Sequence, residues 1–249
     1  MATQTRLTFY GQASYKLETP RGNVALIDPW ITNPKNPNGQ KDVDDLKKVD
    51  LILLTHGHAD HVGNSVEIAK RTGAKLVSNL DLATAMISVL GYPEKQAGSE
   101  TNGHIGGTVS VFDGEAKVTV VPACHGSYVQ KDDGSAPVFG GPATGLVIEI
   151  ANGPTIYHTG DTDVFNDMRL IGEYHKIDWM LCCIGDHFTM GPKRAAHAVE
   201  LVNPRTVVPN HYGTFPLLTG TPEAFEKELK ARGVKSQMRV MEIGETISL

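Results

Sequence analysis

Cysteine is scarce in this chain, with three residues among 249, at positions 124, 182 and 183. An odd number cannot pair within one molecule, and the neighbours Cys182 and Cys183 would leave a strand on opposite faces, so no disulfide framework is expected. The thiols read instead as small buried apolar groups in a reducing compartment. Basic residues do not outweigh acidic ones, 23 against 28 for a net charge of −5, which removes any general attraction to phosphate backbones or anionic lipid. No apolar run approaches the length of a membrane span, and the opening MATQTRLTFYGQASYKLE lacks the basic start and apolar centre of a secretory leader. The expectation is a soluble cytoplasmic protein with a small-molecule substrate as partner. Membrane and nucleic acid are not expected partners, and a homo-oligomer is left open. Also missing are internal repeats, low-complexity tracts, an interdomain linker and a G-x-S-x-G nucleophile elbow. With 40% hydrophobic residues the chain can bury a substantial core, and residues 1–249 read as one domain.

What is present is a series of short apolar runs bounded by Gly, Pro and Asn. RLTFYGQASYKLE and NVALIDPW flank the turn signal TPRGN, which predicts a hairpin. A connector, ITNPKNPNGQKDVDD, leads to VDLILLTH, an apolar strand that should be buried on both faces. A helix is predicted from Asp60 to a stop at Gly73, followed by the strand KLVSN and the helix DLATAMISVLG. TVSVFDG with EAKVTVVPACH, and TGLVIEI with PTIYHTGD, read as two further hairpins. The last third alternates: helix DVFNDMRLIGEY, strand IDWMLCCIG, helix KRAAHAVELV, strand TVVPNH, helix PEAFEKELKAR and a closing strand MRVMEIGETISL. Sheets with helices outside them fit this order. Residues 126–145 form a Gly/Pro/Asp-rich segment, long enough to be a functional loop.

The densest chemistry lies in residues 51–63, LILLTHGHADHVG, where an apolar run ends in His56, His58, Asp60 and His61. Imidazole and carboxylate are ligands for zinc and neighbouring divalent metals, and one ion cannot comfortably take all four side chains from so short a segment, so two ions are expected. Gly57 and Ala59 leave room between the ligands. Further ligands belong at other strand ends, where a rigid sheet supports them. Three segments qualify: VVPACHG with His125, IYHTGDT with Asp161 and VVPNHYG with His211.

These residues resemble the metallo-β-lactamase superfamily, whose ordered motifs are matched by Asp28 in ALIDPW, then His56, His58, Asp60 and His61, then His125, Asp161 and His211. IYHTGDT, GDHFTMGP and PNHYGTFP look more narrowly like a branch of small metal-dependent hydrolases related to the ascorbate-6-phosphate lactonases. The resemblance spans most of the chain and implies an α/β fold, an αββα sandwich of two mixed β-sheets flanked by helices. It implies that His56, His58 and His125 hold one metal, that Asp60, His61 and His211 hold the other, and that Asp161 bridges them. One departure stands near the start, where the branch commonly has Gly-His-Ser or Gly-His-Ala and this chain has Gly11, Gln12 and Ala13. Gln12 can hydrogen-bond but cannot replace an ionisable imidazole.

Two divalent ions per chain are therefore expected, zinc first, with manganese or iron as alternatives. Counting Asp60, Asp161 and a bridging hydroxide against them leaves the site roughly one positive unit. The expected reaction is attack of a metal-bridging hydroxide on a small ester, lactone or phosphoester. Nucleic-acid phosphodiester cleavage and a catalytically inactive metal-stabilised scaffold are the alternatives. Asp60 and His187 are the candidate catalytic residues, Asp60 holding the attacking water and His187 donating a proton. His187, Thr189 and Tyr212 are candidate substrate contacts. Asp28 is assigned to orienting a coordinating histidine through its free N–H. Cys124 reads as strand packing, and Lys193 and Arg194 as solvated charges.

Overall fold

The computed structural model describes residues 4–249. Strands β1 (Arg6–Gly11), β2 (Ser14–Glu18) and β3 (Val24–Ile27) form an antiparallel meander. Then follow α1 (Gly39–Asp45), β4 (Leu51–Leu53), α2 (Ala59–Val62), α3 (Ser65–Thr72), β5 (Lys75–Val77) and α4 (Leu80–Ala85). The middle contains β6 (Thr108–Val111), β7 (Ala116–Pro122), the small hairpin β8 (Tyr128–Val129) and β9 (Val138–Phe139), β10 (Thr144–Ile150) and β11 (Thr155–His158). The last third runs α5 (Met168–Tyr174), β12 (Trp179–Cys183), α6 (Pro192–Val202), β13 (Thr206–Asn210), α7 (Pro222–Arg232), β14 (Gln237–Met238) and β15 (Thr246–Ser248).

Two mixed sheets result, one in the order β15-β1-β2-β3-β4-β5 and the other β14-β13-β12-β11-β10-β7-β6. Their inner faces share an apolar core that includes Leu7, Leu17, Leu51 and Leu53 from the first sheet and Val118, Leu146, Ile148, Leu181 and Val208 from the second. The outer faces pack on helices. Ile52 and Leu54 join Ile68 of α3 and Leu82 of α4, while Met180 and Val207 join Ala195, Val199 and Phe225 of α6 and α7. The period-two alternation of a strand makes this division, with Leu51 and Leu53 facing one layer and Ile52 the other. Each such buried side chain contributes about 2 kcal/mol, so a strand as short as β4 is firmly anchored.

Strand direction gathers the functional residues. Strands β3, β4 and β5 are mutually parallel, and β1, two antiparallel steps from β3, runs the same way. In the second sheet β11, β12 and β13 are parallel, and β7 shares their direction for the same reason. Gln12, Asp28 and the 56–61 segment therefore leave one end of the first sheet. His125, Asp161, Asp186 and His211 leave one end of the second.

Several local expectations are corrected. Part of the Pro/Asn/Lys connector is helical, as α1, since its GQKDVDD portion contains no proline. The helix expected from Asp60 to Gly73 is two helices separated at Gly63. There φ is +33° and a Cβ would come within 2.4 Å of the Trp30 Cα, so the backbone passes too close for a regular helix. Gly73 is the left-handed stop that was expected. The DVFND portion of the following helical prediction is not helical, and α5 starts at Met168. The closing segment divides between β14 and β15, which belong to different sheets, because a turn at Gly244 (φ +86°) interrupts it. Cys182 and Cys183 are buried, whereas Cys124 lies beyond the end of β7 and is exposed, so it is not strand packing.

Candidate metal centre

The 55–61 segment is held from both sides. Thr55 O accepts from Thr144 N at 3.1 Å and from Thr144 Oγ1 at 2.7 Å, tying the end of β4 to β10 of the other sheet. Gly57 N donates to Ser127 Oγ at 3.2 Å, and a Cβ on Gly57 would fall 2.6 Å from Tyr128 O. Only glycine allows β8 that close to the histidines.

Three imidazole nitrogens converge at one point: His58 Nδ1 lies 3.0 Å from His56 Nε2 and 3.3 Å from His125 Nε2. Beside them a second group gathers Asp60, His61, Asp161 and His211. Within each group the possible ligand atoms all lie within 4.8 Å of one another. Asp161 stands between the groups. Its Oδ2 is 3.0 Å from His211 Nε2 and 3.7 and 3.9 Å from His125 and His56 Nε2, and its Oδ1 is 3.2 Å from His61 Nε2.

The far sides of these rings are fixed. Asp28 Oδ2 is 2.8 Å from His61 Nδ1 and accepts the Thr55 hydroxyl at 2.7 Å, while Asp28 Oδ1 accepts Thr55 N at 2.9 Å. Because that hydroxyl proton goes to Asp28, Thr55 Oγ1 is left to accept from His56 Nδ1 at 3.0 Å. One fully buried carboxylate thus sets the tautomers of two histidines and turns both Nε2 lone pairs toward the centre. Gln12 Nε2 donates to Asp60 Oδ2 at 2.8 Å, and Gln12 O accepts His211 N at 2.8 Å. Gln12, Asp28 and His211, with φ of 51°, 43° and 55°, all take the left-handed backbone that costs a non-glycine residue, which marks this rim as strained.

The donor set fits divalent cations. His61 Nε2, His211 Nε2 and Asp161 Oδ1 are buried without a hydrogen-bond partner, an arrangement expensive unless a cation satisfies it. Electrostatics separate the two groups. Burial, then the neighbouring histidines, hold His56 and His58 below the ordinary imidazole range; burial also lowers His125, against the pull of Asp161. Burial pushes His61 and His211 the same way, but Asp161 and Asp60 outweigh it, raising His61 well above its ordinary value and His211 to about 9. Asp161 and Asp60 are held low: burial opposes this, but His211 and His61 prevail.

A cavity of about 410 Å³ opens over these residues, lined by His58, Asp60, His125, Asp161 and His211 and by Trp30, Tyr128, Phe188 and Phe215. His187, Thr189 and Tyr212 do not line it. Asp186 and His187 are consecutive left-handed residues (φ 65° and 51°), and this tight turn leaves His187 exposed while Phe188 faces the cavity. Thr189 Oγ1 donates to Met190 O, and Tyr212 lines a separate cavity beside Gln12. The wall residues carry no metal-binding signature, yet each follows a polar strand-end residue closely: Trp30 after Asp28, Tyr128 after His125, Phe188 after Asp186 and Phe215 after His211.

This architecture is shared. A solved metallo hydrolase from the hyperthermophilic archaeon Ignicoccus hospitalis superposes with a TM-score of 0.82 at 34% identity, over 99% of both chains. A UPF0173 metal-dependent hydrolase of Thermodesulfovibrio yellowstonii is 53% identical over 98% of this chain and 92% of its own length. One from Rubrobacter xylanophilus is 44% identical over 98% and 96%. Fold, donor set and relatives together define the class, that of metal-dependent hydrolases with the metallo-β-lactamase fold. Residues 23–212 match the Beta-lactamase superfamily domain, and the chain belongs to that superfamily.

Proposed function

We propose that the chain is a dinuclear hydrolase of a small ester or lactone, working in the cytoplasm with zinc, or with manganese or iron in its place. The carrying observation is the pair of adjacent donor groups, with Asp161 Oδ2 of the second lying 3.7 and 3.9 Å from His125 and His56 Nε2 of the first. His56, His58 and His125 would hold one ion; Asp60, His61 and His211 the other, with Asp161 between. Divalent ions there supply water acidified to a pKa of about 7 and a positive partner for a developing oxyanion. The protein's own residues do the rest. Asp28 aims His61 directly and His56 through Thr55. Gln12 holds Asp60 Oδ2, leaving the other carboxylate oxygen to accept a hydrogen bond from the attacking water. Four aromatic side chains wall the cavity over these residues.

His187 is exposed and does not line the cavity, so this reading assigns it no proton-donor role. The absence of Lys and Arg from the cavity lining weighs against nucleic-acid phosphodiester cleavage, which needs contacts along a phosphate backbone. Elemental analysis of purified protein should find close to two divalent ions per chain, and the loaded protein should hydrolyse simple esters or lactones while chelated protein does not. Two bound ions with no turnover across esters, lactones and phosphoesters would favour the scaffold reading instead.

A further inference from the structure

The resemblance to phosphorylated-sugar lactonases would have the cavity grip an anionic substituent. Its walls are built for something else. Around the donor groups stand Trp30, Phe188 and Phe215, each from a separate loop, and Tyr128 from strand β8, with no lysine or arginine among the lining residues. Trp30 and Phe215 stack at 5.8 Å with their planes 23° apart, and Tyr128 packs on the His58 ring at 4.6 Å. Three of the four remain open to water, Tyr128 at 45%, Phe188 at 49% and Phe215 at 36% exposure. Leaving several large rings uncovered at one mouth forfeits hydrophobic stabilisation and marks a surface meant to be covered. The cavity's 410 Å³ exceeds the roughly 150 Å³ that accommodates a benzene-sized ring. There is room for one such ring beside a reacting ester group.

We propose that these four side chains form a subsite for an uncharged, flat apolar group, so that the substrates are neutral esters or lactones carrying an aromatic or similarly apolar substituent. This rests on the hydrolase reading above. A phosphate or carboxylate carried away from the reacting bond would meet ring faces, which repel anions, and would lose its hydration without a cation to replace it. A neutral ring covers the exposed aromatics and gains offset-stacked or edge contacts. The reaction balances as ordinary ester hydrolysis: water adds to the acyl carbon, the acyl–oxygen bond breaks, and the alcohol leaves with a proton.

The test uses metal-loaded full-length protein and three acetates of similar leaving-group reactivity: benzyl acetate, ethyl acetate and 4-(acetoxymethyl)benzoate. The expected kcat/KM for benzyl acetate is at least tenfold above each of the others, with Phe215→Ala and Phe188→Ala each narrowing the gap severalfold. Binding is read separately from turnover by the uncleaved amide N-benzylacetamide. It should quench tryptophan fluorescence saturably in the wild type, not in Trp30→Phe, and the carboxylate-bearing amide should fail to do so. Equal or better turnover of the carboxylate-bearing ester, or quenching unchanged in Trp30→Phe, overturns the subsite and leaves the hydrolase intact. Selective quenching with no hydrolysis of any ester by the loaded protein has the opposite meaning: the subsite stands and the hydrolase reading falls.

Discussion

The two donor groups of the candidate metal centre differ in how they are built. One is three imidazoles and no carboxylate of its own, and burial keeps its rings neutral. The other pairs two histidines with two carboxylates, with His211 Nε2 and Asp161 Oδ2 3.0 Å apart, and the carboxylates draw protons onto its rings. The first is ready to ligate but offers little charge compensation. The second offers charge but must give up protons to ligate. Asp161 belongs electrostatically to the second and geometrically to both.

The largest effect is expected from Asp161→Asn, which removes the charge facing both groups. Metal content should fall from about two ions to one or fewer, with roughly a thousandfold loss of kcat, measured by elemental analysis and steady-state kinetics. Full activity in this variant would end the shared-carboxylate account. His58→Ala should separate the groups: one ion lost and one kept, with far-UV circular dichroism unchanged because His58 is half-buried at a helix start. Loss of both ions would show that the groups are not independent.

Asp28→Asn comes next, because Asp28 reaches both groups, His61 directly and His56 through Thr55. Removing such a support costs about 10- to 100-fold in metal affinity, readable by competition with a chelator. Gln12→Ala touches only Asp60 and the second group, so the same titration should weaken one ion by about tenfold and leave the other alone.

The smallest effect is a pH signature of chelated protein. His61 and His211 have folded-state pKa values raised above 6.5, so their contribution is complete below 6.5 and is lost as pH rises, for His211 through about 9. His56, His58 and His125 have lowered values, so the unfolded chain takes up protons first and stability is lost as pH falls below 6.5. Thermal melts of chelated protein should therefore show both limbs. Metal loading should flatten the basic limb. A basic limb that persists after loading would argue that His61 and His211 are not ligands.

The sequence made the strand ends easy to find, because β-branched runs stop at Gly or Pro beside His or Asp, and strands sharing one direction bring those stops together. Gln12 was visible only as a departure from a motif. Its bond to Asp60 depends on two successive antiparallel turns returning β1 to the same rim, and no local pattern encodes that. His187 was misplaced because side-chain direction in a turn with two left-handed residues has no period to follow. The aromatic walls escaped notice for a related reason: a lone Trp or Phe past a strand end reads as packing until the other three stand across from it. The break at Gly63 was hidden because the close passage of Trp30 comes from a distant segment.

Thr55 O, bonded to Thr144 across the sandwich, marks a seam along which each donor group is divided. His56 and His58 come from the first sheet and His125 from the second; Asp60 and His61 come from the first, Asp161 and His211 from the second. Neither half of the chain owns a complete coordination set. A nascent chain with only its first sheet formed would present part of each donor group, and a misdocked sandwich would complete neither. Any cation bound there would act as an inspector of assembly, rewarding only the chain whose two sheets have met in register.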